Sequence, residues 1–207
     1  MSSQWWLPRL SFLQSLRQSH FTLPVRPEFL ASSAFQFVNP RHHVIATDNV
    51  TQTFPESVVA GLSDEEALAL FTRGFFGGFV FGLERSVLRM GGWNLLPARY
   101  TGFEGDPHAS QIWNISELPP KSSSPYQQAS YVDYGFGSDE FTFAGCHRFQ
   151  ITRSPRIGAE PLVQFELQHF RCNPQNNEPS VAEYIAWFHY VYAKSLFGNA
   201  VQSVLRR

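Results

Sequence analysis

Three aromatic-rich stretches, Ser130 to Gly137, Phe141 to Arg153 and Pro161 to Arg171, stand in a row and are followed by one long amphipathic stretch, Val181 to Leu205. In the first three, large apolar side chains recur at every second residue, the spacing of one face of a β-strand. In the fourth, Val181, Tyr184, Ile185, Phe188, Val191 and Tyr192 recur at three and four residues, the spacing of one face of an α-helix. Consecutive strands pair antiparallel, and a helix with one apolar stripe has to bury it. The order therefore predicts an α+β fold in which a curved antiparallel sheet grips a long C-terminal helix. Such an architecture often encloses an apolar ligand cavity.

The chain has 207 residues, enough for one substantial core, and its Pro/Ser stretches are too short to divide it. One domain is expected over 41–207, preceded by an N-terminal arm over 1–40 in which Pro8, Pro24, Pro27 and Pro40 interrupt any regular element. Twenty Phe, 7 Tyr and 5 Trp against only 16% charged residues make apolar burial the dominant force. With 16 basic and 17 acidic residues, and no Lys/Arg cluster, nothing here would track a phosphate backbone, so nucleic acid is excluded as a partner. Cys146 and Cys172 are too few for a disulfide framework and lack zinc-finger spacing; they read as buried thiols. The first residues carry no basic n-region, and Arg9 and Arg17 interrupt any signal-like apolar run, which sets the expectation of a cytoplasmic protein.

Upstream, His42 to Phe54 reads as a first strand ending at Pro55. Ser63-Asp64-Glu65-Glu66 is a capping box that starts a helix, expected to run to Met90, with or without a break, and to stop at Gly91-Gly92. Within it Gly74, Gly78 and Gly82 form a small-residue stripe suited to close packing against the sheet. The stripe resembles a membrane-helix seam, but the uncharged run between Arg73 and Glu84 is far shorter than the ~20 residues a bilayer needs, so no integral span is expected. Gly102 to Pro125 reads as irregular loop around a short strand at Gln111 to Ile115.

No dinucleotide, P-loop, zincin or hydrolase motif is present, so neither a cofactor nor a metal is indicated. His42-His43 would point to opposite faces of a strand, and Asp106-Pro107-His108 reads as a solvated turn. His147 is different, because it falls in step with Phe141, Phe143, Phe149 and Ile151. His169 falls in step with Val163, Phe165 and Leu167, and Tyr134 with Val132 and Phe136, whereas Asp133 and Glu166 point away. His147, His169 and Tyr134 are thus candidate catalytic donors, with Phe143, Phe149, Phe165 and Trp187 as candidate substrate-binding residues. The structural alternative is a pair of core histidines bonded to a backbone carbonyl or a tyrosine.

Tyr131-Val132-Asp133-Tyr134-Gly135, Ala144-Gly145-Cys146-His147-Arg148-Phe149 and Phe165-Glu166-Leu167-Gln168-His169-Phe170-Arg171, with the terminal helix and the Gly91-Gly92-Trp93 turn, resemble a family of unknown-function domains of bacteria and plants. That family is placed near the START-like helix-grip superfamily, and the resemblance covers about two thirds of the chain. Cys146, His147 and His169 depart from its pattern, which carries acidic residues near 146 and 147 and a serine in the third piece. The resemblance implies a helix-grip fold with a lipid-scale apolar cavity and no established catalytic residue. By analogy with small cavity proteins of specialised metabolism, the leading expectation is a cofactor-independent cyclase or isomerase. It would fold an apolar terpenoid- or polyketide-like intermediate for intramolecular cyclisation, a Diels-Alder cycloaddition included. The alternatives are a noncatalytic lipid or isoprenoid carrier and a membrane-peripheral scaffold whose Trp5-Trp6 arm touches the bilayer surface.

Overall fold

A computed structural model describes residues 16–90, 112–115, 128–137, 139–179 and 186–206. Period-two alternation becomes strands β2 (Ile45–Pro55), β4 (Gln128–Gly137), β5 (Ala144–Ser154) and β6 (Leu162–Cys172); two short strands, β1 (His20–Thr22) and β3 (Ile112–Ile115), complete the sheet. All pairs are antiparallel, in the order β1-β2-β6-β5-β4-β3. The chain leaves the sheet after β2, makes two helices, and returns as a meander whose last strand docks against β2. The fold class is α+β, with a C-terminal helix α5 (Ala186–Leu205).

The two intervening helices are α3 (Asp64–Gly77) and α4 (Phe79–Met90); two short ones, α1 (Pro27–Leu30) and α2 (Ser33–Val38), precede β2. The capping box at the start of α3 is formed: the Glu66 amide donates to Ser63 Oγ at 3.1 Å, and the Ser63 amide donates to the Glu66 carboxylate at 2.9 Å. The helix expected to run to Met90, with or without a break, is broken at Gly78, where the axis bends by 46°. The Gly91-Gly92 stop and the start of the final helix before Ala186 lie outside the described residues.

Helix α3 lies over β4 and β5, and α5 packs beside α3 and reaches over β2. Phe71 is the hub of this face, its ring edge-on to Phe149 at 5.4 Å, Phe165 at 5.3 Å and Phe197 at 5.6 Å. The glycine stripe packs against the terminal helix and not against the sheet. A Cβ on Gly74 would sit 2.5 Å from Ser203 Cβ and 2.8 Å from Ala200 Cα, whereas one on Gly82 would meet nothing. Around Phe71 the contact between sheet and helices is made by phenylalanine rings. Among the described residues no single helix is long and apolar enough to cross a membrane; α3 and the first part of α4 reach that length only as the bent pair.

The other face of the sheet is covered by the segment from residue 16 onward. β1 pairs along β2, and α1 and α2 bring Phe29 and Phe35 onto Phe170 at 5.3 and 4.9 Å, above Cys146 and Cys172. Asp133 and Glu166 do point away from the α3 face, into this second buried layer. Arg148 grips Asp133 with two parallel hydrogen bonds of 2.7 and 2.6 Å and is stacked between the rings of Tyr131 and Phe29. Arg26, just before α1, donates to both oxygens of Glu166. Residues 1–15, including Trp5 and Trp6, lie outside the described residues.

Candidate functional site

Strand register puts four polar residues side by side on the face under α3 and α5. Asp48 on β2 is opposite His169 on β6, His169 is opposite His147 on β5, and His147 is opposite Tyr134 on β4. Directly opposed residues of paired strands project to the same side, so the four form a row across the sheet. The helix α5 adds a fifth member, His189, one turn before Ala193 and two before Leu196 on its buried stripe.

Asp48 is the hinge of the arrangement. Its Oδ2 accepts a hydrogen bond of 2.7 Å from His169 Nδ1 and another of 2.7 Å from His189 Nε2. Because a carboxylate can only accept, both ring nitrogens facing Asp48 carry a proton. Burial opposes the charge on Asp48, but the two imidazoles outweigh it and hold the carboxyl well below its ordinary range. His147 stacks on His169 at a centroid distance of 4.7 Å, and Phe136 lies against both rings. Burial, reinforced by His169, pushes the His147 imidazole well below its usual pKa, so it stays neutral. Its Nδ1 is buried and has no hydrogen-bond partner among the described residues.

A second acidic group faces this row from α4. Glu84 accepts a hydrogen bond from the Tyr192 hydroxyl of α5 and is close enough to His169 and His189 for their charges to interact. Burial raises the Glu84 carboxyl despite that bond, and burial together with Glu84 raises the Tyr192 phenol. Tyr192 is also one wall of a groove of about 340 Å³ between α4 and α5, with Phe79, Val80, Val191, Ser195 and Asn199 among its other walls. Tyr192 thus belongs both to the wall of the apolar groove and to the Glu84 contact beside the row.

The chain matches no protein-family model, no curated protein and no solved structure. The chemistry is therefore read from the residues themselves. Of the predicted catalytic set, the structure brings His147 and His169 into contact and places Tyr134 next in the row, its ring against Phe76 at 5.1 Å and Phe149 at 5.6 Å. Of the predicted substrate-binding set, Phe149 and Phe165 are fully buried and packed on Phe71. Phe143 is 40% exposed just before β5, with its ring 5.3 Å from Phe136. The Trp187 side chain and Asp106-Pro107-His108 lie outside the described residues. His43 is turned aside, its Nδ1 2.8 Å from the Asn173 carbonyl oxygen.

Four members escaped sequence reasoning: Asp48, His189, Glu84 and Tyr192. A signal existed for the first two. Asp48 shares its strand parity with Val50 and Phe54, so an acidic side chain stands at an inward position. His189 shares the buried helical stripe with Ala193 and Leu196. Glu84 and Tyr192 are joined only by how α4 folds back on α5, which no local pattern encodes.

Proposed function

We propose that the protein is an enzyme that seats an apolar small molecule bearing a carbonyl or hydroxyl oxygen against the histidine row and cyclises or isomerises it. The observation that carries this reading is the stacked His147–His169 pair, set in a phenylalanine-lined face, with a buried His147 nitrogen that the described residues leave without a partner. A buried polar atom left unpaired costs about 1–3 kcal/mol, and none of the described residues around His147 offsets it. A ligand oxygen at that position would. Donors aimed at a carbonyl from a low-dielectric wall lower the barrier to a cyclisation in which charge moves onto that oxygen. The surrounding rings contribute by holding one reactive conformer. An intramolecular cycloaddition is the simplest reaction of this kind, because shape and one or two donors suffice for it.

The test is turnover of polyene and polyketide carbonyl compounds by the wild type and by His147→Phe and His169→Phe, after circular dichroism has confirmed folding. Loss of a polarising donor lowers turnover by roughly 10²-fold. Wild-type turnover in both variants would reject the histidine assignment. Tight retention of an apolar compound without conversion would favour the carrier reading instead.

A further inference from the structure

We infer that Asp48, His169 and His189 form a binding site for a divalent first-row transition-metal cation. One donor atom from each, the Asp48 carboxylate oxygen, His169 Nδ1 and His189 Nε2, lies within 4.8 Å of the other two. They come from three separate elements, β2, β6 and α5, and converge on a single point. A carboxylate with only structural duties has two oxygens over which to spread two donors. Here both imidazoles meet on Oδ2, each at 2.7 Å. A cation held at about 2.0–2.1 Å from nitrogen and oxygen ligands in a tetrahedral site sets neighbouring ligands about 3.3 Å apart, so each of these two edges opens by about 0.6 Å. His189 can supply the movement on its own edge, since it stands on a helix and its side chain is 24% exposed, while the Asp48–His169 edge opens by rotation of those two side chains with their strands still paired.

Metal binding requires each imidazole to present an unprotonated nitrogen towards Asp48. Each ring gives up the proton on the nitrogen facing Asp48, which frees that nitrogen as a ligand. Two imidazoles and one carboxylate suit zinc, iron, cobalt and manganese rather than magnesium or calcium, which prefer oxygen throughout. Three protein ligands leave at least one position open, the pattern of a catalytic rather than a structural site. Glu84 places a second carboxyl within the field of such a cation, while Arg171, two residues beyond His169, acts on Asp48 with the opposite sign. His147 and Phe136 wall the centre on the sheet side.

This inference builds on the proposed reading, in which an oxygen-bearing substrate reaches the row, and assigns that oxygen to the open metal position. Its test uses no substrate, so the two can fail separately. The full chain is stripped with a chelator, exchanged into metal-free buffer and titrated with Co²⁺, followed by its visible ligand-field bands, and with Zn²⁺ by calorimetry. The expected result is one equivalent bound per chain, competition between the two ions, and a rise in melting temperature with Zn²⁺.

Loss of an outer-shell partner already weakens metal sites 10–100-fold, so His189→Gln, at a half-buried position that folding tolerates, should weaken binding at least ~100-fold. Asp48→Asn should do the same, and the exposed His20→Gln should bind like the wild type. Absence of stoichiometric binding by the wild type would overturn the inference and leave a hydrogen-bonded triad. Unchanged affinity in a folded His189→Gln protein would overturn it equally, by placing the ion elsewhere. Metal binding without turnover would sustain the site and count against the enzymatic reading alone.

Discussion

At the scale of single residues, the chemistry of this protein is governed by which face of the sheet a side chain occupies. Cys146 and His147 are neighbours in the chain, yet one joins the layer under α1 and α2 and the other the histidine row. Burial, with the nearby Asp133 charge, raises the Cys146 thiol well above its ordinary value, and burial pushes Cys172 up to about 11. Only the thiolate attacks an alkylating reagent, and at pH 8 a thiol with a pKa near 11 is ionised to on the order of one part in a thousand. Iodoacetamide should therefore leave both cysteines unmodified in the folded protein at pH 8, label Cys172 faster as pH rises towards 11, and modify both once urea is added. Rapid native labelling at pH 8 would contradict the burial described. Strand alternation made His147, His169 and Tyr134 legible as co-facial residues. It did not reveal Asp48, because one acidic residue in a Thr-rich polar strand reads as surface until its partner strand is known.

At the scale of elements, strand boundaries were legible to within a few residues because the period-two signal is local and strong. The helical region was legible less fully. The capping box announced where α3 starts, but no local pattern fixed the break at Gly78, which sits close to Asn199 of α5, whose side chain lies 2.8 Å from where a Gly78 Cβ would be. The same contact map separates three glycines that look alike in the sequence. Gly74→Ala forces a methyl group into Ser203 and Ala200 and should destabilise the protein by about 1–3 kcal/mol. Gly82→Ala meets open space and, by removing the entropic penalty of glycine in a helix, should stabilise by up to about 1 kcal/mol. Urea denaturation of both variants checks the pair, and equal effects would mean that α3 and α5 are not in close contact at Gly74.

At the scale of the whole molecule, the sheet is buried on both sides, and this was the least legible property of the chain. Four prolines break residues 1–40 repeatedly, so a layer with its own aromatic cluster reads only as an arm wrapping the core. The layer is held partly by a buried ion pair, Arg148–Asp133, of which neither side chain is more than 3% exposed. Removing one partner strands a charge, so Arg148→Met should cost about 3–5 kcal/mol, while the double change with Asp133→Leu should recover most of it. Chemical denaturation of the two variants measures this. Equal losses would show that packing on Phe29 and Tyr131, and not the charge pair, is what Arg148 contributes.

The position of β6 in the sheet has a temporal consequence. It lies between β2 and β5, so the polar row exists only when residues 162–172 have slotted between two strands already made; Asp48 and His169 are 121 positions apart. While the chain is being synthesised, β2 presents an unpaired hydrogen-bonding edge for most of that interval, and β5 does so only until β6 follows it. Closing a sheet with contacts of such long range is slow, and exposed edges at that stage invite pairing between chains. Asp48 is thus kept from His169 during synthesis, and the row is complete only when the barrier to joining β2 has been crossed.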